Sequence, residues 1–157
     1  MRVKVDISGW LDDFQKHSTV GFSNHQQGAI KLSKELKFEA TSLLRQQGKS
    51  RAFCKARLYV IALYLLLRPH LQKITHLTLD RDFEGWEGEI TTMLVSFFQR
   101  HRSEFSTSQI DFANLKGDPC HIVANGAFKG EFPAIEPKQE EFLKLIPVRQ
   151  KNNRVNQ

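Results

Sequence analysis

Val3-Lys4-Val5-Asp6-Ile7-Ser8-Gly9 decides how the rest of the chain reads. Apolar Val3, Val5 and Ile7 alternate with Lys4, Asp6 and Ser8, the period of a strand with one face in a core, and Gly9 closes it. Residues 19–22 and 29–32 supply two more short strands. The polar run Ser23-Asn24-His25-Gln26-Gln27-Gly28 between them reads as a turn, which favours a hairpin and therefore antiparallel pairing. Residues 10–18 connect the first strand to the second, with a short helical turn expected over 10–14.

After residue 32 the period changes. Ser33 is a good N-cap, and Leu36, Phe38, Ala40, Leu43 and Leu44 give an approximate helical stripe closed by Gly48. A longer helix is expected over 50–67, rich in Ala, Leu and Arg and stopped by Pro69. Its apolar stretch 58–67 is too short to cross a bilayer and reads as a buried helix. A fourth strand over 74–79 runs into the acidic loop Asp80-Arg81-Asp82-Phe83-Glu84-Gly85. A helix over 86–101, a fifth strand over 110–115 and a short helix to about residue 127 follow, the last opened by Asp118 as N-cap and Pro119 at its first position. Beyond Gly130, Pro133 and Pro137 interrupt the pattern, residues 139–146 suit a last short helix, and 148–157 read as a polar tail.

A chain of 157 residues suits one domain, here 1–147, with a sizeable core. Lys plus Arg number 23 against 17 Asp plus Glu, for a net charge of +6 and an isoelectric point near 9.5, a balance that favours polyanionic partners such as nucleic acid. Cys54 and Cys120 form neither a CxxC pair nor a zinc spacing, so a reducing, cytoplasmic setting is the expectation. Met1-Arg2-Val3-Lys4 leads into an alternating pattern, not an apolar run, so neither a secretory leader nor a membrane association is expected. The sequence holds no phosphate-cradling Walker loop, which argues against a kinase or nucleotide hydrolase.

Three strands that pair antiparallel, then strands alternating with helices, give an α/β fold with a mixed five-stranded sheet and helices on both faces. This order, with an aspartate in the first strand and another at the end of the fourth, resembles the ribonuclease H-like superfamily, which includes junction resolvases, transposases and integrases. The resemblance covers about residues 1–127 and rests on element order and acid placement. It implies a nuclease or resolvase-like enzyme that cleaves phosphodiesters with Mg²⁺ or Mn²⁺. By the same resemblance Asp6 and Asp80 are catalytic metal ligands. The last helix supplies a further group, matched here by Asp118 and His121 at a spacing of three, and Glu84 is an additional ligand. Two-metal phosphoryl transfer needs such clustered oxygen donors, and a histidine among them suits Mn²⁺ better than Mg²⁺.

Each residue also has a plain structural reading. Asp6 can be a solvated or edge-strand acid, Asp80 an N-cap or loop acid paired with Arg81, Asp82 a turn residue, and Glu87 a first-turn acid favoured by the helix dipole. Asp118 can be only a cap, His121 a packing histidine, and Cys120 a small buried residue. Arg45, Lys49, Arg51, Lys55, Arg57, Arg100 and Arg102 are the candidate phosphate contacts, within a wider set that includes Lys31, Lys34 and Lys37; each alone is also an ordinary helix-surface cation. The alternatives to an enzyme are a catalytically inactive nucleic-acid-binding or protein-interaction module of the same fold, and a homodimer built on the apolar helix.

Overall fold

The computed structural model describes residues 1–147; the polar tail 148–157 lies outside the described residues. The protein is α/β, with one mixed sheet of five strands in the order β3-β2-β1-β4-β5. The strands are β1 (Arg2–Ser8), β2 (Ser18–Ser23), β3 (Gln27–Leu32), β4 (His76–Asp80) and β5 (Ile110–Ala113). β1, β2 and β3 form an antiparallel meander, while β4 joins β1, and β5 joins β4, in parallel. β1 is therefore an interior strand, and Asp6 cannot be an edge-strand acid. The short turn expected over 10–14 is a single hydrogen-bonded turn, the Asp13 amide donating to the Trp10 carbonyl at 3.1 Å, and residues 10–17 form no helix.

The helices are α1 (Lys34–Gln46), α2 (Arg51–Leu67), α3 (Glu87–Phe98), α4 (Pro119–Phe128) and α5 (Gln139–Leu143). Ser33 and Ser50 cap α1 and α2 by accepting from the Leu36 and Phe53 amides, each at 3.1 Å, and Asp118 caps α4 by accepting from the Cys120 amide at 3.2 Å. In α2, Cys54 and every residue from Ala56 to Leu67 are buried. A helix apolar all round must be enclosed on all sides, and α2 packs between α1 and α3 and against β3. Its apolar surface is buried within the core and is not free for a dimer. Pro69 ends the α-helical geometry, and the chain winds on as a 3₁₀ segment, Arg68–Lys73. In α1 the buried face is Leu36, Lys37, Ala40 and Leu44, and Phe38, expected in the apolar stripe, is 61% exposed. At 100° per residue it stands 200° from Leu36, on the far side of the helix.

Lys37, counted above among surface cations, is fully buried. Its ammonium donates to the Trp10 carbonyl at 3.0 Å, the Asp13 carbonyl at 2.6 Å and the Ser18 hydroxyl at 3.0 Å. Three acceptors match its three donors, and the 10–18 loop is tied to α1 through them. Burial pulls its pKa down to about 8, against the pull of Asp13 and Asp12 in the other direction. Arg57 and Arg102 are also structural. The Arg57 guanidinium donates to the Leu145 carbonyl at 3.0 Å and lies over Phe97, and Arg102 donates to the Leu71 and Ile74 carbonyls at 3.1 and 2.5 Å. Cys54 and Cys120 are buried free thiols, and burial pushes both upward in pKa.

α4 lies on the other face, across β1, β2 and β3. Its approach is set by Gly21, where a Cβ would stand 2.6 Å from the Ala124 nitrogen and 2.9 Å from its Cα. The Thr19 hydroxyl donates to the Ala124 carbonyl at 2.6 Å. Gly21 pairs with Asp6 across the β1–β2 ladder, so the closest helix approach falls beside that acid. After α4 the chain returns along β3. Ile135 bridges Ile30 in parallel, accepting from the Lys31 amide and donating to the Ala29 carbonyl at 2.8 and 2.9 Å.

Two stability outcomes follow from these contacts. Gly21→Ala must displace α4, and denaturant unfolding should show a loss of about 1–3 kcal/mol, the usual cost of overpacking. Lys37→Met removes the buried donor to the Asp13 carbonyl and the Ser18 hydroxyl, while the Trp10 carbonyl keeps the Asp13 amide and Ser18 hydroxyl, and the same measurement should show a loss of about 2 kcal/mol or more.

Candidate metal centre

The β1–β4 ladder pairs Val5 with Leu79. One residue further in the same register, Asp6 stands beside Asp80 at the carboxyl ends of two adjacent parallel strands, where α/β proteins place their ligands. Val5 and Leu79 face the core on one side, so Asp6 and Asp80 share the opposite side, toward α4. Asp82 follows in the loop after β4. Carboxylate oxygens of Asp6, Asp80 and Asp82 all lie within 4.8 Å of one another, the spacing of a group able to hold a metal ion.

Each carboxylate is held differently. Asp6 is 3% exposed; its Oδ1 accepts from the Ile7 amide at 2.7 Å and its Oδ2 faces His121 Nδ1 at 2.6 Å. Asp80 Oδ1 accepts from the Leu115 amide at 2.6 Å, which ties the loop after β5 to the site. The Asp82 residue is open to solvent as a whole, while its carboxylate turns toward the other two. Among the described residues, no lysine or arginine is paired with any of the three; the one cationic partner available is His121 when protonated.

The electrostatic result is a raised affinity for protons. Burial pushes the Asp6 pKa up, opposed by the His121 and Ile7 hydrogen bonds and reinforced by Asp80. Asp82 is pushed up to about 7, by desolvation first and then by its neighbours Asp80 and Asp6. Beneath the loop, Tyr59 is fully buried and stacks on Phe83 at 4.7 Å between centroids. Its hydroxyl has no partner among the described residues, and burial together with the field of Asp82, Asp6 and Asp80 raises its pKa further.

His121, one turn into α4, has a half-exposed side chain. With Asp6 ionised, Nδ1 carries the hydrogen and donates it, which leaves Nε2 of the neutral ring as an acceptor. Asp118 does not join the three carboxylates. It pairs with Lys4 at 3.0 Å and caps α4, and although partial burial works the other way, the Lys4 ammonium and the Cys120 amide hold its pKa below the usual value. Glu84 is exposed on the loop and lies outside the group, and Glu87 opens α3 as a first-turn acid. Sequence reasoning took Asp82 for a turn residue. The signal that points to it is the Asp80-Arg81-Asp82 spacing: directly after a strand, residues two apart can turn their side chains the same way.

Compared with known proteins, the chain matches no family model, no curated protein and no solved structure. The chemistry of the site therefore rests on its own geometry.

A carboxyl whose folded-state pKa exceeds its unfolded value stabilises the fold below the unfolded value and loses that contribution as pH rises through the folded one. For Asp82 the window runs from its ordinary 3.8 to about 7. In chelator, Asp82→Asn should raise the thermal midpoint above wild type at pH 8, with the difference fading toward pH 4. Thermal melts at the two pH values check this, and a difference independent of pH would contradict the repulsion.

Proposed function

We propose that the protein is a divalent-metal-dependent phosphodiester hydrolase of the ribonuclease H-like type, a nuclease or resolvase-like enzyme acting on nucleic acid. The observation that carries the reading is the convergence of Asp6, Asp80 and Asp82 within 4.8 Å with no lysine or arginine among the described residues paired with them. The donor set fits the ion: all three ligands are hard carboxylate oxygens, the kind Mg²⁺ and Mn²⁺ prefer. Bound there, such an ion supplies Lewis-acid polarisation of a phosphoryl oxygen and a more acidic water. The strand order, with β1 flanked by an antiparallel pair on one side and a parallel pair on the other, supports the likeness to that superfamily.

The chain's own residues have distinct parts in this reading. Asp6 and Asp80 hold the site in register because they sit on paired strands, and the Leu115 amide fixes the Asp80 oxygen it touches. Asp82 completes the donor set from the loop. Asp6 also orients His121, whose Nε2 takes up a proton near the site, and general bases of this kind contribute about 10²–10⁴-fold. The basic net charge favours a polyanionic substrate.

A second reading, a binding or interaction module without catalysis, is favoured by one observation. Asp118, which the resemblance implies as a ligand on the last helix, is engaged by Lys4. Metal titration separates the two, because an inactive module does not need the ion.

The enzyme reading predicts that Mn²⁺ or Mg²⁺ raises the thermal midpoint and supports cleavage of DNA or RNA, and that chelation abolishes both. Asp6→Asn and Asp80→Asn should remove activity, and His121→Ala should lower kcat by about 10²-fold or more while metal still binds. A folded protein whose melting is indifferent to metal, and which cleaves neither single strands, duplexes, junctions nor hybrids, would overturn it.

A further inference from the structure

We propose that a groove running away from the acidic cluster binds an unpaired nucleic-acid strand, with Trp10 as the platform for a base and Arg45, Arg51 and Lys55 as phosphate contacts. The proposal rests on the phosphodiester reading above and narrows its substrate to single-stranded segments. Two cavities, of about 260 and 360 Å³, share Lys55 in their walls. Asp82 and Trp10 line the first, Phe38, Arg45 and Arg51 line the second, and Lys55 lines both. Through Lys55 the two cavities connect a carboxylate of the metal centre with the junction of α1 and α2 by way of one shared wall, and we take them as one track.

Its chemistry is two-fold. Trp10 is 73% exposed and Phe38 61%, two of the few large apolar side chains on the surface of the described residues. Phe38 is braced edge-on by Phe14 at 5.6 Å. Trp10 is presented on the loop that the Lys37 ammonium ties down through the Trp10 carbonyl itself, so its backbone is set before any ligand arrives. An exposed aromatic ring on a fixed backbone is what base stacking requires.

Between and beyond the rings stand cations. Arg45 uses one nitrogen to hold the Lys49 carbonyl at 2.9 Å and keeps the rest of its fork for a ligand. Lys55 is held only loosely by Asp12, at 3.8 Å with both side chains partly exposed, a pair that a phosphate can displace. Asp12 is the one acid lining the second cavity, against three cations. Positive charge therefore lies along the track while negative charge lies at its end, so a strand is drawn in by its backbone and meets the metal centre at one phosphodiester. A duplex hides its base faces inside the stack, so only an unpaired strand can use both the rings and the cations.

The test is binding of a fluorescein-labelled oligothymidylate of about 12 nucleotides, followed by anisotropy in chelator and again in Ca²⁺. The expected result is binding in at least one condition, at least about tenfold tighter than the matching duplex. Trp10→Ala should weaken it about tenfold and Trp10→Phe should restore most of the loss. Arg51→Ala should flatten the dependence of log affinity on log salt by about 0.7. Both substituted side chains are on the groove surface, so circular dichroism should be unchanged. Absence of binding in both conditions, equal affinity for the duplex, or indifference to Trp10→Ala would each overturn the proposal. Trp10-dependent binding without cleavage in Mn²⁺ would leave the groove standing and remove the catalytic reading. Cleavage of single strands with KM and kcat unaffected by Trp10→Ala would do the reverse.

Discussion

Ionised carboxylates held side by side repel, and the repulsion grows as water is withdrawn from between them. The parallel register of β1 on β4 forces this on Asp6 and Asp80, because a ladder that seats Val5 beside Leu79 in the core leaves no other place for the next residue of either strand. Much of the surrounding architecture answers that constraint. The Ile7 and Leu115 amides each donate to one oxygen, His121 brings the one titratable cation, and Gly21 lets α4 come close enough to deliver it. Among the described residues no lysine or arginine pairs with them. The strand pairing thus keeps these acids together at the cost of their mutual repulsion.

The second theme is how differently the cations are used. A basic sequence suggests a uniformly attractive surface, but several of its positive groups are committed indoors. Lys37 ties a loop, Arg57 holds the chain after α5, and Arg102 gathers the carbonyls that precede β4. Those that remain between α1 and α2 sit with exposed rings in one concave strip. The distribution of charge, and not its total, separates this molecule from an ordinary basic domain.

Much of the fold was legible in the sequence because local chemistry announced it. Period-two alternation gave β1, the polar run after Phe22 gave the hairpin, Ser33, Ser50 and Asp118 marked helix starts, and the unbroken apolar stretch of α2 signalled a helix enclosed on all sides. Asp6 and Asp80 stood out by their places on strands, and the structure brings them together. Asp82 was marked only by its spacing of two from Asp80, since a loop acid joins a site through tertiary placement. Tyr59 gave no signal at all, being one aromatic in an apolar helix. Phe38 misled because a stripe read loosely admits a residue from the far side of the helix, and Lys37 because nothing in a lysine's neighbours along the chain reveals that three oxygens from a distant loop will surround it.

The segment after α4 carries a consequence for how the polypeptide emerges during synthesis. The outer border of β3 is sealed by Ile135, whose neighbours Pro133 and Pro137 hold it extended. The meander is made first and its seal last, with most of the chain translated in between. During that interval the nascent hairpin has a bare rim, and its companion β4 has yet to appear. Lys31 on that border is a charge of the kind that disfavours edge-to-edge pairing of such an unfinished ribbon.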